Sequence, residues 1–331
     1  MIANNRFTLL NAIWTGCCVA ALVVGIATQQ RARSGEPRES GPVSRGPLAL
    51  ASLPCAYRLH TKVISGGRPS GEAGFQTLKR LGVKTVISVD AAKPELSLAR
   101  RYGLRYVHLP HGYDGISARR SLELAVAVYH LPGRIYIHCH HGQHRSPAAA
   151  VVACISAGLL TREQGYQVLS RVGTSPEYRG LHKAVLNAQR YQDLNNHNVV
   201  FRDTVEVPPL ATAMVEIERT FDNLVQIQRS GWRSPPSRPD HTAPHEALLL
   251  REHFTELVRT DDTQFRPSRY RELLKQTLAH AELLEQLTRA SSTDRVPTVQ
   301  RRRRLSASLA AISNDCKRCH REHRDALSAN E

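Results

Sequence analysis

Residues 138–147 read HCHHGQHRSP and place a cysteine six positions before an arginine, with a glycine between them. The apolar stretch before them, Arg134–His138, has the pattern of a buried strand, and the alanine-rich stretch from Ser146 onward has that of a helix. Backbone N–H groups in a loop that enters a helix converge on one point, where the helix dipole adds positive potential. The stretch therefore predicts an anion-binding loop over residues 139–145.

The residue types in this loop suit phosphate chemistry. Arg145 can donate two parallel hydrogen bonds to two phosphate oxygens. The positive field at Cys139 is expected to lower the pKa of its thiol, which makes the sulfur a nucleophile at neutral pH. Gly142 lets the backbone turn without filling the cradle with a side chain, and Ser146 can donate a hydrogen bond to the sulfur. The spacing thus predicts a thiolate held against a tetrahedral anion.

The pattern H-C-x5-R-S resembles the signature loop of the cysteine-dependent protein tyrosine phosphatases, especially the compact dual-specificity group. Residues 64–89 are also similar to the start of small dual-specificity domains, so the resemblance spans residues 54–195. It implies that Cys139 attacks phosphorus, that a phosphocysteine forms and that water hydrolyses it. It also implies that Arg145 clamps the phosphate and that Ser146 aids release of the thiolate.

The same family uses a general acid, usually an aspartate on a mobile loop before the nucleophile, to protonate the leaving oxygen. Asp114 follows a predicted strand and lies between Gly112 and Gly115, so it is our candidate. The rival, Asp90, directly ends a predicted strand and is expected to cap a turn. Two alternatives stay open: Asp114 is an ordinary turn residue, or the whole loop is an inactive phosphate-binding module.

Polar residues fill the interior of the loop where relatives commonly carry small residues or lysine. We expect them to line the substrate site together with Gly142 and to tune substrate choice and pH response; they are His140, His141, Gln143 and His144. Three imidazoles can also bind a metal ion. A loop that wraps around phosphate directs several side chains outward, however, so we favour the role in substrate choice.

A second motif lies near the end of the sequence, where residues 314–325 read NDCKRCHREHRD. Cys316, Cys319 and His320 form the C-x-x-C-H arrangement to which c-type haem is joined by two thioethers, with the histidine as iron ligand. A zinc site would need further ligands at short spacing, and a disulfide between the cysteines is the other alternative. The motif predicts covalent haem c, while no cofactor is expected for the phosphatase part.

The position of this motif on the last of four amphipathic helices resembles the cytochrome c-prime family. The family motif continues C-x-x-C-H-x-x-Tyr-Arg; Arg324 matches the arginine, whereas His323 stands at the tyrosine position. Members leave the sixth iron position open or fill it with a methionine from the first helix. Met214 lies on the apolar stripe of the first helix, so it is either that sixth ligand or a core residue.

The fold class follows from the order of the predicted elements. Strands alternate with helices in the first part, which predicts an α/β domain with a central sheet flanked by helices. Only helices follow, at residues 209–229, 245–259, 268–290 and 298–326, which predicts an all-α four-helix bundle. The expected segments are a signal or membrane anchor (1–28), a flexible linker (29–53), the phosphatase domain (54–195) and the haem-binding bundle (205–331).

Residues 7–28 carry no charge and are long enough to cross a bilayer, which takes about 20 apolar residues. We expect a transmembrane or signal helix there, and favour an uncleaved anchor because no clear A-x-A site follows. Arginines after the segment favour retention inside the cell. Haem c, however, is attached on the periplasmic side of bacterial membranes, so we expect a membrane-anchored or secreted bacterial protein with its domains on that side.

The chain has 45 Lys and Arg against 29 Asp and Glu, a formal net charge of +16, which indicates anionic partners. We expect a phosphorylated protein or a small phosphate ester, a redox partner or small gas ligand, and the membrane. Nucleic acid is not expected, because no zinc-finger or helix-turn-helix signature is present. Three hypotheses follow: a phosphatase modulated by its haem domain, a haem electron-transfer protein with a non-catalytic phosphate-binding module, or two activities that are merely tethered.

Overall fold

The computed structural model describes residues 48–289 and 298–324. The expected signal or anchor, residues 1–28, and residues 29–47 of the expected linker lie outside the described part of the chain. Among the helices that are described, none combines the length and the apolar character needed to cross a bilayer.

A five-stranded sheet lies at the centre of the first half of the chain, in the order β1-β2-β5-β3-β4. The central strand, β5, pairs in parallel with β2 and β3, whereas β1 is antiparallel to β2. Side chains of β5 are buried on both faces of the sheet. The strands are β1 (Tyr57–Arg58), β2 (Val63–Gly66), β3 (Val83–Ser88), β4 (Arg105–His108) and β5 (Arg134–His138).

Helices cover both faces of this sheet. One layer contains α1 (Gly71–Arg80) and α2 (Leu96–Arg101), and the other contains α3 (Ala118–His130), α4 (Arg145–Ser156), α5 (Arg162–Val172) and α6 (Arg179–Leu186). Every residue of α4 is buried, because α3, α5 and α6 pack around it and the sheet lies beneath it. The expected α/β layers are confirmed.

Local sequence signals explain several helix ends. Thr161 and Gln164 form a capping box at the start of α5, since Thr161 accepts from the backbone N–H of Gln164 and the Gln164 side chain accepts from the N–H of Thr161. Helix α6 begins only at Arg179, because Ser175 holds the residues after it in a turn through bonds from the N–H groups of Glu177 and Tyr178. The strands β1 and β2 were not predicted, since they are too short to show a clear alternation.

In its described residues, the second half of the chain contains four long helices and one short helix. They are α7 (Pro209–Arg229), α8 (Ala243–Arg259), the short α9 (Asp261–Gln264), α10 (Ser268–Arg289) and α11 (Val299–His323). The helix α8 packs against α7 and α10, and α10 packs against α11. All four long helices contribute to one buried apolar cluster, which includes Leu224, Leu250, Leu284 and Leu309. The four predicted helices are present; their predicted ends at residues 290 and 326 lie outside the described residues.

The segment between α6 and α7 follows the edge of the sheet. The N–H of His108 on β4 donates to the carbonyl of Arg202 at 2.9 Å, and the N–H of Val205 donates to Nδ1 of His108 at 3.2 Å. In the described residues, each buried apolar cluster takes its members from one side of residue 205. The expected domain division at that position stays a prediction.

Candidate active site

The loop predicted to bind an anion connects the carboxyl end of the central strand to the start of a buried helix. The strand β5 ends at His138, residues 139–144 form the loop, and α4 begins at Arg145. Ligands of parallel α/β sheets bind at this end of the strands. The first N–H groups of a helix have no partner within the helix, so a positive potential is expected at the start of α4.

Contacts with the segment after β2 fix the shape of the loop. Gly142 has φ +81°, a left-handed conformation that favours glycine, and a Cβ atom at this position would collide with the backbone of Gly66 and Gly67. The N–H of Arg68 donates to the carbonyl of His140 at 3.0 Å. Two backbone segments therefore lie in direct contact, with no space for a side chain between them.

The nucleophile candidate and the hydroxyl expected to assist it are in contact. Cys139 is 3% exposed, and its Sγ donates to the Oγ of Ser146 at 3.3 Å. The Ser146 hydroxyl in turn donates to the carbonyl of Gly66 at 2.8 Å. When the sulfur is ionised, the same hydroxyl can rotate to donate to it instead. The structure thus brings together Cys139 and Ser146 as the sequence predicts.

Arg145 carries a buried donor without a protein partner. Its Nε atom has no hydrogen-bond acceptor among the described residues, and its guanidinium lies 4.7 Å from the centre of the Tyr113 ring. Burial opposes the charge, but Tyr113 and Cys139 raise the pKa of Arg145 above its usual range, so it stays cationic. An unsatisfied buried donor costs about 1–3 kcal/mol. A phosphate oxygen in the predicted anion site would satisfy this donor.

The two aspartate candidates have different surroundings. Asp114 is exposed in the loop between β4 and α3, and it lines the same cavity as Arg145 and Tyr113. Asp90 is buried, and its Oδ1 accepts from the N–H of Ala92 at 2.8 Å, the turn-capping role predicted for it. Only Asp114 of the two is therefore open to a leaving group that enters the cavity.

Three residues at the end of β5 and in the loop contact neighbouring elements. The Nε2 atom of His138 lies 2.6 Å from the hydroxyl of Tyr106, and both are buried. The ring of His144 packs 4.5 Å from that of Tyr178, and burial, with the charges of neighbouring groups, lowers its pKa to about 4, so it is neutral. The carbonyl of Gln143 accepts from Thr174 at 2.7 Å.

The remaining loop histidines turn toward the second half of the chain. Nε2 of His140 lies 2.9 Å from Oδ2 of Asp222, and Nε2 of His141 lies 3.0 Å from Oε1 of Glu218. Burial opposes ionisation of Glu218, but the bond from His141 and the neighbouring cations lower its pKa to about 2. The sequence shows no signal for these contacts, because the partners are 82 and 77 residues apart.

One cavity of about 1520 Å³ joins the two predicted sites. It exceeds the roughly 300–1,000 Å³ of an ordinary ligand pocket. Residues from both motifs line it, including Arg145 and Asp114 from the first and Cys316, Cys319 and His320 from the second. Met214 of α7 also lines it, and its role as the sixth iron ligand stays a prediction.

The surroundings of the C-x-x-C-H motif fit a haem group. Cys316 and Cys319 lie on α11, half-buried against the apolar core of the helices, and burial raises the pKa of Cys316 to about 12. The Nε2 atom of His323 is buried and has no partner among the described residues. Apolar and aromatic side chains such as Phe254 and Tyr270 line the adjacent wall of the cavity. The pair of thiols, the histidines and the apolar wall suit a flat, largely apolar cofactor.

Arg324 makes a contact that the resemblance to cytochromes c-prime did not predict. Its guanidinium lies 4.3 Å from the centre of the Tyr113 ring and 5.5 Å from that of Tyr178. Because Arg145 contacts the same Tyr113 ring, two cations flank one aromatic side chain. The end of α11 therefore reaches Tyr113, the aromatic residue that Arg145 of the candidate anion-binding loop also contacts.

No protein-family profile matches this chain, and no curated protein matches it significantly. Among solved structures, P. aeruginosa TpbA is 19% identical, with a TM-score of 0.37, over 43% of this chain and 92% of that chain. Human DUSP28 is 18% identical, with a TM-score of 0.33, over 44% and 96%. The catalytic domain of the S. cerevisiae phosphatase SIW14 is 13% identical, with a TM-score of 0.34, over 45% and 88%. TpbA and DUSP28 are phosphatases of the tyrosine and dual-specificity type, and SIW14 is a PP-IP phosphatase. At such identities and TM-scores the function of this chain rests on its own site.

Replacing Gly142 with alanine is expected to destroy the anion site. A left-handed alanine alone costs about 1–2 kcal/mol, and the collision with Gly67 adds the cost of overpacking, about 1–3 kcal/mol. Gly103→Ala is the matched control, because Gly103 has φ +67° with nothing within 4 Å of a new Cβ atom. Urea unfolding and calorimetric titration with inorganic phosphate measure both effects. Equal losses of stability and unchanged phosphate binding in the two variants would contradict the proposed packing.

Proposed function

We propose that this chain is an exported cysteine-dependent phosphatase that hydrolyses phosphomonoesters of the phosphotyrosine type and carries a c-type haem domain. The observation that supports the phosphatase most directly is the unpartnered, buried Nε of Arg145, which lies at the start of α4 with Cys139 on the same loop. A cation, a helix N-terminus and a thiol arranged in this way suit the transfer of a phosphoryl group.

The first step transfers the phosphoryl group to sulfur. The Cys139 thiolate attacks phosphorus while the bond between phosphorus and the ester oxygen breaks. Arg145 and the N–H groups of the loop stabilise the charge on the non-bridging oxygens. Asp114, in its protonated form, gives its proton to the leaving oxygen, so the alcohol departs neutral. The products of this step are the alcohol and a phosphocysteine.

The second step releases phosphate. Asp114, now a carboxylate, takes a proton from a water molecule that attacks phosphorus on the side opposite the sulfur. The bond between sulfur and phosphorus breaks, and the electron pair returns to Cys139 as thiolate. Ser146, 3.3 Å from the sulfur, then donates its hydroxyl proton as a hydrogen bond to the thiolate. This leaves the enzyme ready for the next substrate and releases inorganic phosphate.

Cys139→Ser is expected to reduce hydrolysis of an aryl phosphate by at least about 1,000-fold, as losses of a catalytic nucleophile do in other enzymes. The matched control is Cys154→Ala, which removes another buried thiol of the same half of the chain, in α4. The Cys139→Ser protein should still bind inorganic phosphate, because Arg145 and the loop backbone are unchanged. Equal turnover by wild type and Cys139→Ser would refute the proposed nucleophile. Phosphate binding without turnover in the wild type would support the non-catalytic module.

Asp114→Asn is expected to lower kcat for phenyl phosphate by about 100-fold or more, the usual contribution of a general acid. The loss should be much smaller for p-nitrophenyl phosphate, because its leaving group is acidic enough to depart without a proton. Steady-state rates with both substrates measure the difference, with Asp193→Asn, an exposed aspartate outside the cavity, as control. The same loss with both substrates would exclude the role as general acid.

The haem part of the proposal is supported by the half-buried cysteines and the apolar wall beside them. Cys316 and Cys319 would hold the group through thioethers, and His320 would ligate the iron. When bound, haem c supplies a one-electron redox centre that can also take a small gas ligand. Because haem c is attached on the periplasmic side, this proposal includes export. The shared cavity favours a haem domain that modulates the phosphatase over two tethered activities.

The chain produced with a c-type haem maturation system is expected to retain haem after denaturation. Cys316→Ser combined with Cys319→Ser should abolish this retention, since both thioethers are lost, whereas Cys154→Ala should keep it. Haem staining of denaturing gels and intact mass measure the result. The absence of covalent haem would refute this part of the proposal. Aryl phosphate turnover is a separate measurement, and identical rates in the oxidised and reduced protein would favour two tethered activities.

A further inference from the structure

Two loop histidines and two carboxylates of α7 converge outside the phosphate cradle. Nε2 of His140 lies 2.9 Å from Oδ2 of Asp222, and Nε2 of His141 lies 3.0 Å from Oε1 of Glu218. The two carboxylates are four residues apart, so they lie on the same face of the helix. The ligand atoms of His140, His141 and Asp222 all lie within 4.8 Å of one another.

These distances suit a tetrahedral metal ion. Zinc binds histidine nitrogen at about 2.0–2.1 Å and carboxylate oxygen at about 2.0–2.2 Å, which places neighbouring ligand atoms about 3.3 Å apart. The bonds between each histidine and its carboxylate, at 2.9 and 3.0 Å, are close to that separation. Among His140, His141 and Asp222, the widest separation of at most 4.8 Å has to shrink by up to about 1.5 Å. Glu218 is not part of that group, so its carboxylate has to move further to become the fourth ligand.

The donor set and its exposure also favour a metal of this class. Two imidazoles and two carboxylates are ligands that zinc prefers, and the carboxylates balance its double charge. The side chains are between 23% and 48% exposed, so an ion can enter from solvent. The backbone of His140 is held by the bond from the N–H of Arg68, which limits the movement of the first ligand.

We propose that His140, His141, Glu218 and Asp222 form a binding site for a divalent transition metal of the zinc class, which ties the loop to α7. The metal replaces the two hydrogen bonds between the histidines and the carboxylates. The site uses the side chains of His140 and His141, for which the sequence predicts a role in substrate choice, but not those of Cys139, Arg145, Ser146 or Asp114. Binding of the metal therefore does not depend on the proposed phosphatase activity.

A metal at this position has a consequence for the cavity. The helix α7 supplies Met214, Ile217 and Glu218 to the wall that faces Arg145. A metal bound between this helix and the residues next to Cys139 restrains the opening of the cavity. Entry of a phosphate ester should then be slower, an effect that rests on the proposed function.

The full-length haem-loaded protein, titrated with Zn²⁺, tests the site. X-ray absorption at the zinc edge is expected to show only nitrogen and oxygen neighbours, at about 2.0–2.2 Å, without sulfur at about 2.3 Å. Asp222→Asn should weaken binding by at least about 10-fold, since even indirect partners of a metal contribute that much. Glu216→Gln is the matched control, because Glu216 is an acid of the same helix that pairs with Arg219 instead.

Three results would overturn the site: no bound zinc, sulfur among its neighbours, or equal affinity in the wild type and Asp222→Asn. A second measurement addresses the consequence, with Zn²⁺ expected to slow aryl phosphate hydrolysis by the wild type and not by Asp222→Asn. A chain without any turnover that still binds zinc through nitrogen and oxygen contradicts the proposed function and supports the metal site. Turnover that zinc slows equally in both proteins contradicts the coupling through α7.

Discussion

The close packing of Gly142 against Gly66 and Gly67 is the constraint on which the candidate site depends. It brings the end of β2 against the loop after β5, so the carbonyl of Gly66 accepts from Ser146. That hydroxyl in turn lies beside the sulfur of Cys139. A side chain between the two backbones would separate these groups. Cys139, the Ser146 hydroxyl and the N-terminus of α4 are therefore placed by backbone contact rather than by long side chains, which limits their movement.

Much of this arrangement could be predicted because its signals are local. The loop, the buried strand before it and the helix after it occupy one continuous stretch, and the cap of α5 depends on residues three positions apart. In the helices of the second half, apolar side chains recur every three or four residues over many turns, so the sequence predicts these helices clearly. The strands β1 and β2 have two and four residues, so their pairing with distant strands, rather than their own pattern, defines them.

The parts that could not be predicted join residues that are distant in the sequence. Neither Glu218 nor Asp222 differs in kind from the other acids of α7, and only the approach of that helix to the loop gives them partners. The same holds for Arg324, which the motif connects with haem and the fold places over Tyr113. The charge and spacing of residues in the sequence identify side chains that suit a reaction. The packing of helices and loops determines which of these side chains come into contact. The cavity shared by both motifs is the result of such packing.

Arg145 and Arg324 both contact the ring of Tyr113, and this arrangement restricts the insertions and deletions that the end of α11 can accept. Arg324 directly follows the last residue of α11, the helix that also presents Cys316 and Cys319. One inserted or deleted residue between the motif and Arg324 would rotate the guanidinium by about 100° around the helix axis. The cation would then leave the aromatic ring. The number of residues between the motif and Arg324 thus determines whether this contact forms beside the candidate anion-binding loop, even though that loop lies far earlier in the sequence.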